Sequence, residues 1–144
     1  MSVTQNKLRQ NEKNFKLQFA VKSGTCDIAF TGETYTDVTT TSAIAFNNNA
    51  TPSDEANLTA NANDPVNGAT PVVNQSYQEL NNFTTSVGAI PKDQDGKWDF
   101  SLFDNTAPDN TSYCFRIVES SGTLLNTYTV IPEITTSAPL PGPG

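Results

Sequence analysis

The chain has 144 residues and 15.5 kDa, enough for one domain or a domain with an arm. Only 35% of residues are apolar and 16% charged, while Thr, Asn and Ser fill 47 positions; no apolar run approaches the ~18 residues of a membrane span. There is no histidine, which removes His-based triads, the usual zinc-enzyme sites and His-ligated haem, and the net charge of −7 disfavours nucleic acid as a partner.

In chain order, Met1–Leu8 lacks the apolar core of a secretion signal. Phe15 to Lys22 then alternates, with Phe15, Leu17, Phe19 and Val21 on one face and Lys16, Gln18 and Lys22 on the other, the pattern of a half-buried strand. Thr34 to Phe46 is rich in β-branched residues and reads as one long strand or two short ones. Asn47 to Gln75 carries Thr51-Pro52, Asp64-Pro65, Asn67-Gly68 and Thr70-Pro71 and reads as a long loop, with short strands at Ala56–Ala60 and Pro71–Asn74. Tyr77 to Leu80 could open a short helix, while Phe83 to Val87 reads as extended. Lys97 to Leu102 alternates with Trp98, Phe100 and Leu102 inward. Thr111 to Val118 repeats the pattern with Tyr113, Phe115 and Ile117. Ser120-Ser121-Gly122 turns the chain, Thr123 to Ile131 returns as a hairpin partner, and Pro132 ends it. The Pro- and Gly-rich tail cannot join a central strand. About seven short strands separated by turns argue for an all-β antiparallel sandwich.

The charge is unevenly placed. Residues 1–22 hold Lys7, Arg9, Lys13, Lys16 and Lys22 against Glu12 alone; residues 23–144 hold three basic residues against fourteen acids. A positive end on a negative body suits head-to-tail association, and a solvated terminus is the plainer alternative. The alternation of core residues begins at Phe15. The expected organisation is therefore an extended arm over 1–13, a sandwich over 14–136 and a tail over 137–144. Val3, Lys7, Leu8, Arg9 and Lys13 are the arm residues that would engage a neighbour by strand addition.

Trp98 to Leu102, followed by Asp109 to Val118, resembles the corner between two strands of fibronectin type III and related immunoglobulin-like sandwiches. In that family a Leu ends one strand, a Pro lies in the loop, and a Tyr opens the next strand and bonds back to the loop through its hydroxyl. Leu102, Pro108 and Tyr113 match. A wider set of segments resembles modules of large secreted or cell-surface bacterial proteins. It comprises Asn14 to Ala20, Ser23-Gly24-Thr25-Cys26, Trp98-Asp99-Phe100, Tyr113-Cys114-Phe115-Arg116 and Tyr128 to Thr135. The resemblance implies an extracellular or cell-surface structural role and no reaction. Unlike antibody domains, Cys114 directly follows Tyr113, so strand parity turns it to the face opposite the core. A Cys26–Cys114 bridge would clip the segment after the first strand onto that outer face; two free thiols are the alternative.

Other features are weaker as chemistry. Asp93, Asp95 and Asp99 sit in an Asp-x-Asp-Gly context with partial calcium-loop spacing, but no bidentate Glu follows and Lys97 intervenes; an acidic turn is the plainer reading, and no cofactor is otherwise called for. Asn49, Asn57, Asn74, Asn82 and Asn110 head N-x-S/T triplets, the acceptors of N-glycosylation. Asp54-Glu55 has no evident partner. Tyr35, Tyr77, Phe83 and Trp98 could form a sugar platform or simply pack the core. No nucleophile has a base beside it, so an enzyme is not expected.

Two functions stand. One is a structural subunit of an extracellular filament or surface array whose partners are copies of itself. The other is an adhesin or carbohydrate-binding module that engages surface glycans through the 47–75 loop.

Overall fold

A computed structural model of the chain describes residues 1–3, 7–59 and 68–138. It is an all-β sandwich. The strands are β1 (Ser2–Val3), β2 (Phe15–Val21), β3 (Thr36–Asp37), β4 (Ile44–Phe46), β5 (Val72–Gln78), β6 (Gln94–Phe100), β7 (Leu102–Asp104), β8 (Ser112–Glu119) and β9 (Glu133–Thr135). Among the described residues none is helical, so Tyr77 to Leu80 does not open a helix; Tyr77 and Gln78 complete β5 instead. One sheet has the order β3-β2-β8-β9, a second β1-β6-β5, and β4 pairs with β7.

The first sheet is antiparallel throughout, and β2 and β8 form its centre, in register from Phe15 opposite Glu119 to Val21 opposite Tyr113. Its inner face carries Leu17, Phe19, Tyr113 and Phe115, which pack with Val38, Ile44 and Phe46. Phe15, at the other end of β2, joins Leu8, Phe83, Ile90 and Trp98 in a second cluster, and Phe100 and Ile117 touch both. Val21 departs from the expected alternation and is 59% exposed.

The outer face of this sheet is covered as well, which sequence alternation does not predict. Arg116 lies between the rings of Phe30 and Tyr35, its Cζ 4.6 and 4.2 Å from their centroids. Tyr128 meets Phe30 edge-on at 4.9 Å. Cys26 and Cys114 form the disulfide, with Cα atoms 5.5 Å apart, and Cys114 is wholly buried. The 22–35 segment is thus stapled over the outer face.

The segment 123–131 is not the expected hairpin strand. Only Glu119 N–H to Thr123 and the bridge of Val118 with Leu124 continue the hairpin. The chain then swings out over the outer face, and β9 pairs with the start of β8, Tyr113 opposite Ile134. The cause is Tyr128, whose ring fills the space beside Phe30. Its hydroxyl donates to the Ile117 carbonyl at 2.6 Å and accepts from the Leu125 N–H at 3.1 Å.

In the second sheet β5 and β6 run parallel, a departure from the expected antiparallel arrangement. The crossover between them carries Phe83, which pairs with Phe15, and Ile90, which pairs with Leu8. Gly96 sits at the tightest point: a Cβ there would lie 2.2 Å from Ile90 Cδ1 and about 3.0 Å from the Trp98 ring.

The expectation that residues 1–13 form an arm separate from the domain needs correction. Ser2 and Val3 pair with Asp95 and Gln94, Leu8 exchanges backbone hydrogen bonds with Ile90, and Asn11 donates to the Thr85 hydroxyl. Leu8 is buried and Val3 packs against the second cluster. β1 completes the sheet because β6 would otherwise show an open edge over the Ile90–Trp98 cluster. Of the expected tail, Ser137 and Ala138 are exposed and residues 139–144 lie outside the described residues.

Candidate functional site

A cleft of about 360 Å³ lies where the 47–55 segment folds back on the ends of β5 and β6, lined by Asn49, Pro52, Tyr77, Glu79, Asp99, Phe100 and Ser101. Backbone bonds set its walls. Asn47 N–H donates to Ser101 at 2.9 Å, Glu55 N–H to Tyr77 at 2.8 Å, and Tyr77 N–H to Ala56 at 2.9 Å. The asparagine run Asn47-Asn48-Asn49 serves this fold locally: Asn47 Nδ2 donates to Asn49 Oδ1 at 3.1 Å, and Asn49 Nδ2 donates to Ser101 Oγ at 2.7 Å.

Glu79 is the unusual residue of the cleft. It is wholly buried. Its Oε2 accepts the Asn49 N–H at 2.6 Å, and its own N–H donates to Asp54 Oδ1 at 2.8 Å. Its Oε1 has no hydrogen-bond partner among the described residues. Asp99 lies in the same cleft, with Oδ1 3.7 Å from Lys97 Nζ. Two carboxyl groups, Glu79 and Asp99, therefore line the cleft together with half-buried Tyr77, and Asp54 is bonded to the Glu79 N–H. No motif pointed to Glu79, which fell in the Tyr77 to Leu80 stretch read as able to open a short helix. The unpartnered Asp54-Glu55 pair was the available clue: Asp54 caps Glu79, and Glu55 accepts from Ser86 Oγ at 3.1 Å.

The residues singled out from sequence distribute as follows. Asp93, Asp95 and Asp99 do not converge. Asp95 and Asp99 lie along β6, where positions four apart are about 13 Å distant at ~3.3 Å per residue, and Asp93 sits in the turn before it with a φ of 63°. Asp95 accepts from Ser2 Oγ, Asp93 faces Lys92, and Asp99 turns to the cleft. Among the described residues no group of three or more His, Cys, Asp or Glu side chains could hold a metal ion. The calcium reading is corrected accordingly.

Tyr113 is buried beside Phe19, with ring centroids 5.8 Å apart, and Leu102 packs against the same cluster, while Pro108 is exposed. The expected bond from the Tyr113 hydroxyl back to the loop is not among the described contacts. Thr136 ties that loop instead, donating from Oγ1 to the Pro108 carbonyl at 2.6 Å. Of the glycosylation triplets, Asn57, Asn82 and Asn110 are exposed, whereas Asn49 and Asn74 are half-buried. Phe83 and Trp98 are core residues and Tyr35 stacks on Arg116, so Tyr77 alone of the four aromatics reaches the cleft.

The basic segment is largely neutralised within the chain. Lys13 pairs with Glu119 at 2.8 Å, Lys16 with Asp37 at 3.0 Å and Lys22 with Glu133 at 2.7 Å. Lys7 and Arg9 are exposed, and neither makes an ion pair among the described residues. The backbone of Arg9 is nevertheless anchored, its N–H to Glu12 Oε2 at 2.8 Å and its carbonyl to Thr85 Oγ1 at 2.7 Å.

The four-stranded sheet also ends in two unlike edges. Phe115 N–H bonds to the Pro132 carbonyl and Thr136 N–H to the Thr111 carbonyl, which makes Tyr113–Ile134 a hydrogen-bonded pair. Ile134 therefore turns its polar backbone toward β8, and Glu133 and Thr135 turn theirs away. All three residues of β9 are exposed, as are both residues of β3. Val130 and Ile134 beside this edge are 76% and 42% exposed. Comparison with protein-family models, with curated proteins and with solved structures finds no match to this chain.

Proposed function

We propose that the chain is a structural module of an extracellular filament or cell-surface array that associates head to tail with copies of itself. The observation that carries this reading is the outer edge of β9, which pairs with no further strand among the described residues. It presents the outward backbone groups of Glu133 and Thr135 and is flanked by exposed Val130 and Ile134. Long-lived apolar edges are normally blunted by charge, proline or a cover, because they template pairing with another chain. The opposite edge, β3, is different in sequence and equally exposed. Pairing β9 of one copy with β3 of the next continues the sheet without closing it, and heterologous contacts of that kind give open arrays. The disulfide fits an oxidising compartment.

Because β1 pairs with β6 and Leu8 pairs with Ile90 in the same chain, this reading puts the junction at the four-stranded sheet and not on a donated N-terminal strand. Ile134→Lys tests it, since the side chain is part-exposed and the fold accommodates it. The wild-type protein should form filaments in electron micrographs and sediment as large species; the variant should stay small with an unchanged circular dichroism spectrum. A wild-type protein that remains monomeric at high concentration would overturn the proposal.

A second reading, a ligand-binding module, is favoured by the cleft itself. One aromatic face, two carboxylates and an asparagine converge there beside the 47–55 segment.

A further inference from the structure

The geometry points to the Glu79 cleft as a socket for a cationic side chain, Arg9 with Lys7 beside it, from a second copy of the chain. The inference rests on the reading that copies associate, and it names a contact separate from the sheet edges.

The socket is defined by an unmet requirement. A fully buried carboxylate with one bare oxygen is costly, because desolvation is not offset by hydrogen bonds on that side. A guanidinium or ammonium supplies both the donor and the countercharge. Asp54 and Asp99 add negative potential on either side of Glu79. The walls suit the rest of such a side chain: Tyr77, Phe100 and Pro52 among the lining residues supply apolar surface to the methylene stem. The cleft volume of about 360 Å³ admits it. A metal ion is a poorer fit, because no group of three or more potential ligand side chains assembles among the described residues.

The plug follows from what the chain has left. Lys13, Lys16 and Lys22 are committed to Glu119, Asp37 and Glu133. Lys7 and Arg9 project from a segment whose backbone is anchored at Thr85 and Ile90, so their side chains are presented at little further ordering cost. Residues 23–144 carry fourteen acids against three bases, which makes a neighbour's acidic body the natural destination of these two charges.

The test compares the wild-type protein with Glu79→Gln and with a Lys7→Ala, Arg9→Ala double variant by sedimentation. Near-ultraviolet circular dichroism and melting confirm that each is folded. Glu79→Gln keeps the shape and the bond from Asn49, and Asp99→Asn, at a half-buried position, serves as a second probe of the socket. Each variant alone should associate about tenfold or more weakly than wild type. An equal mixture of the two has one intact plug and one intact socket, so it should form mixed pairs that neither forms alone. If wild type associates and Ile134→Lys blocks it, while the socket and plug variants behave as wild type, this inference falls and the edge reading stands. If wild type is monomeric, argininamide titrated into it reads the socket directly. Saturable binding that Glu79→Gln weakens about tenfold supports the socket chemistry, and no binding, or preferential binding of a neutral methyl glycoside, overturns it.

Discussion

On the four-stranded sheet both faces are covered mainly by apolar and aromatic side chains, one by the Phe19–Phe115 cluster and the other by a segment stapled through Cys26. In the three-stranded sheet β5 is buried differently. Gln75, Ser76 and Gln78 are almost wholly inaccessible, and each is hydrogen-bonded. Gln75 Nε2 donates to the Gly88 carbonyl at 2.9 Å and its Oε1 accepts the Val87 N–H at 3.1 Å; Gln78 Nε2 donates to Ser76 Oγ at 2.7 Å. The contrast separates two ways of covering a sheet. Apolar burial is non-directional and tolerates an irregular loop such as 22–35 once a covalent bond holds it. Polar burial is directional and fixes the crossover at Thr85–Ile90, which in turn fixes the cleft.

The comparison can be broken from its strongest point downward. Phe15 belongs to the first sheet but packs into the cluster of the second, 5.8 Å from the Phe83 ring and 6.2 Å from Trp98. Phe15→Ala should cost ~3–5 kcal/mol and uncouple the halves, visible as a broadened or split denaturant transition. Reduction of the disulfide, which joins residues 88 apart in sequence, should cost ~2–5 kcal/mol. Its effect should be graded: hydrogen exchange should accelerate first in 22–35, with β5 and β6 protected until global unfolding. A uniform loss of protection would show that the outer cover is not a separate unit.

Gly96→Ala probes the second sheet alone. A methyl group 2.2 Å from Ile90 Cδ1 must displace that side chain, so a loss of about 1–3 kcal/mol is expected in denaturant melts. Gln75→Leu sharpens the polar side of the comparison. It keeps volume but strands the Gly88 carbonyl and the Val87 N–H, for about 1–3 kcal/mol, whereas an apolar network would register little.

The smallest effect is pH dependence, and it reports on the first sheet. Burial raises the phenol pKa values of Tyr35, Tyr113 and Tyr128 above their ordinary value. Glu33 and Asp104 add to the rise at the first two, and the Leu125 N–H and Arg116 oppose it at the third. Folding therefore disfavours the phenolates, and stability held below pH 10 should decline as pH rises through the folded-state values. Asp37 acts at the other end of the scale. Hydrogen bonds from Gln18 and then Lys16 lower its pKa, so its contribution is present above its ordinary value near 3.8 and is lost as pH falls through the depressed one. Melting temperatures across both ranges check the two directions.

Much of the first sheet was legible because its rule is local. Alternation at period two marked Phe15 to Lys22 and Thr111 to Val118, which hold β2 and most of β8, and β-branched density marked Thr34 to Phe46, which holds β3 and β4. The parity of Cys114 beside Tyr113 predicted an outer-face clip, and the disulfide has that placement. The return strand expected over Thr123 to Ile131 failed because Tyr128 is held by Phe30 from a distant segment. The cleft was illegible for the same reason: Glu79, Asn49 and Asp99 meet only after the 47–55 segment folds onto β5 and β6.

Side-chain periodicity carried the all-β class and marked β2 and β8 as strands, and the parity of Cys114 placed any bridge to Cys26 on the outer face, where the disulfide lies. Only the folded chain settles that β2 pairs with β8, that β5 and β6 run parallel, that β1 and Leu8 pair within their own domain, and that Lys13, Lys16 and Lys22 are satisfied within the chain. Those outcomes depend on which distant segments arrive at a sheet edge or beside a charge. Local sequence encodes which side chains seek burial or a partner, whereas the partner itself is chosen only when the chain has closed its long loops.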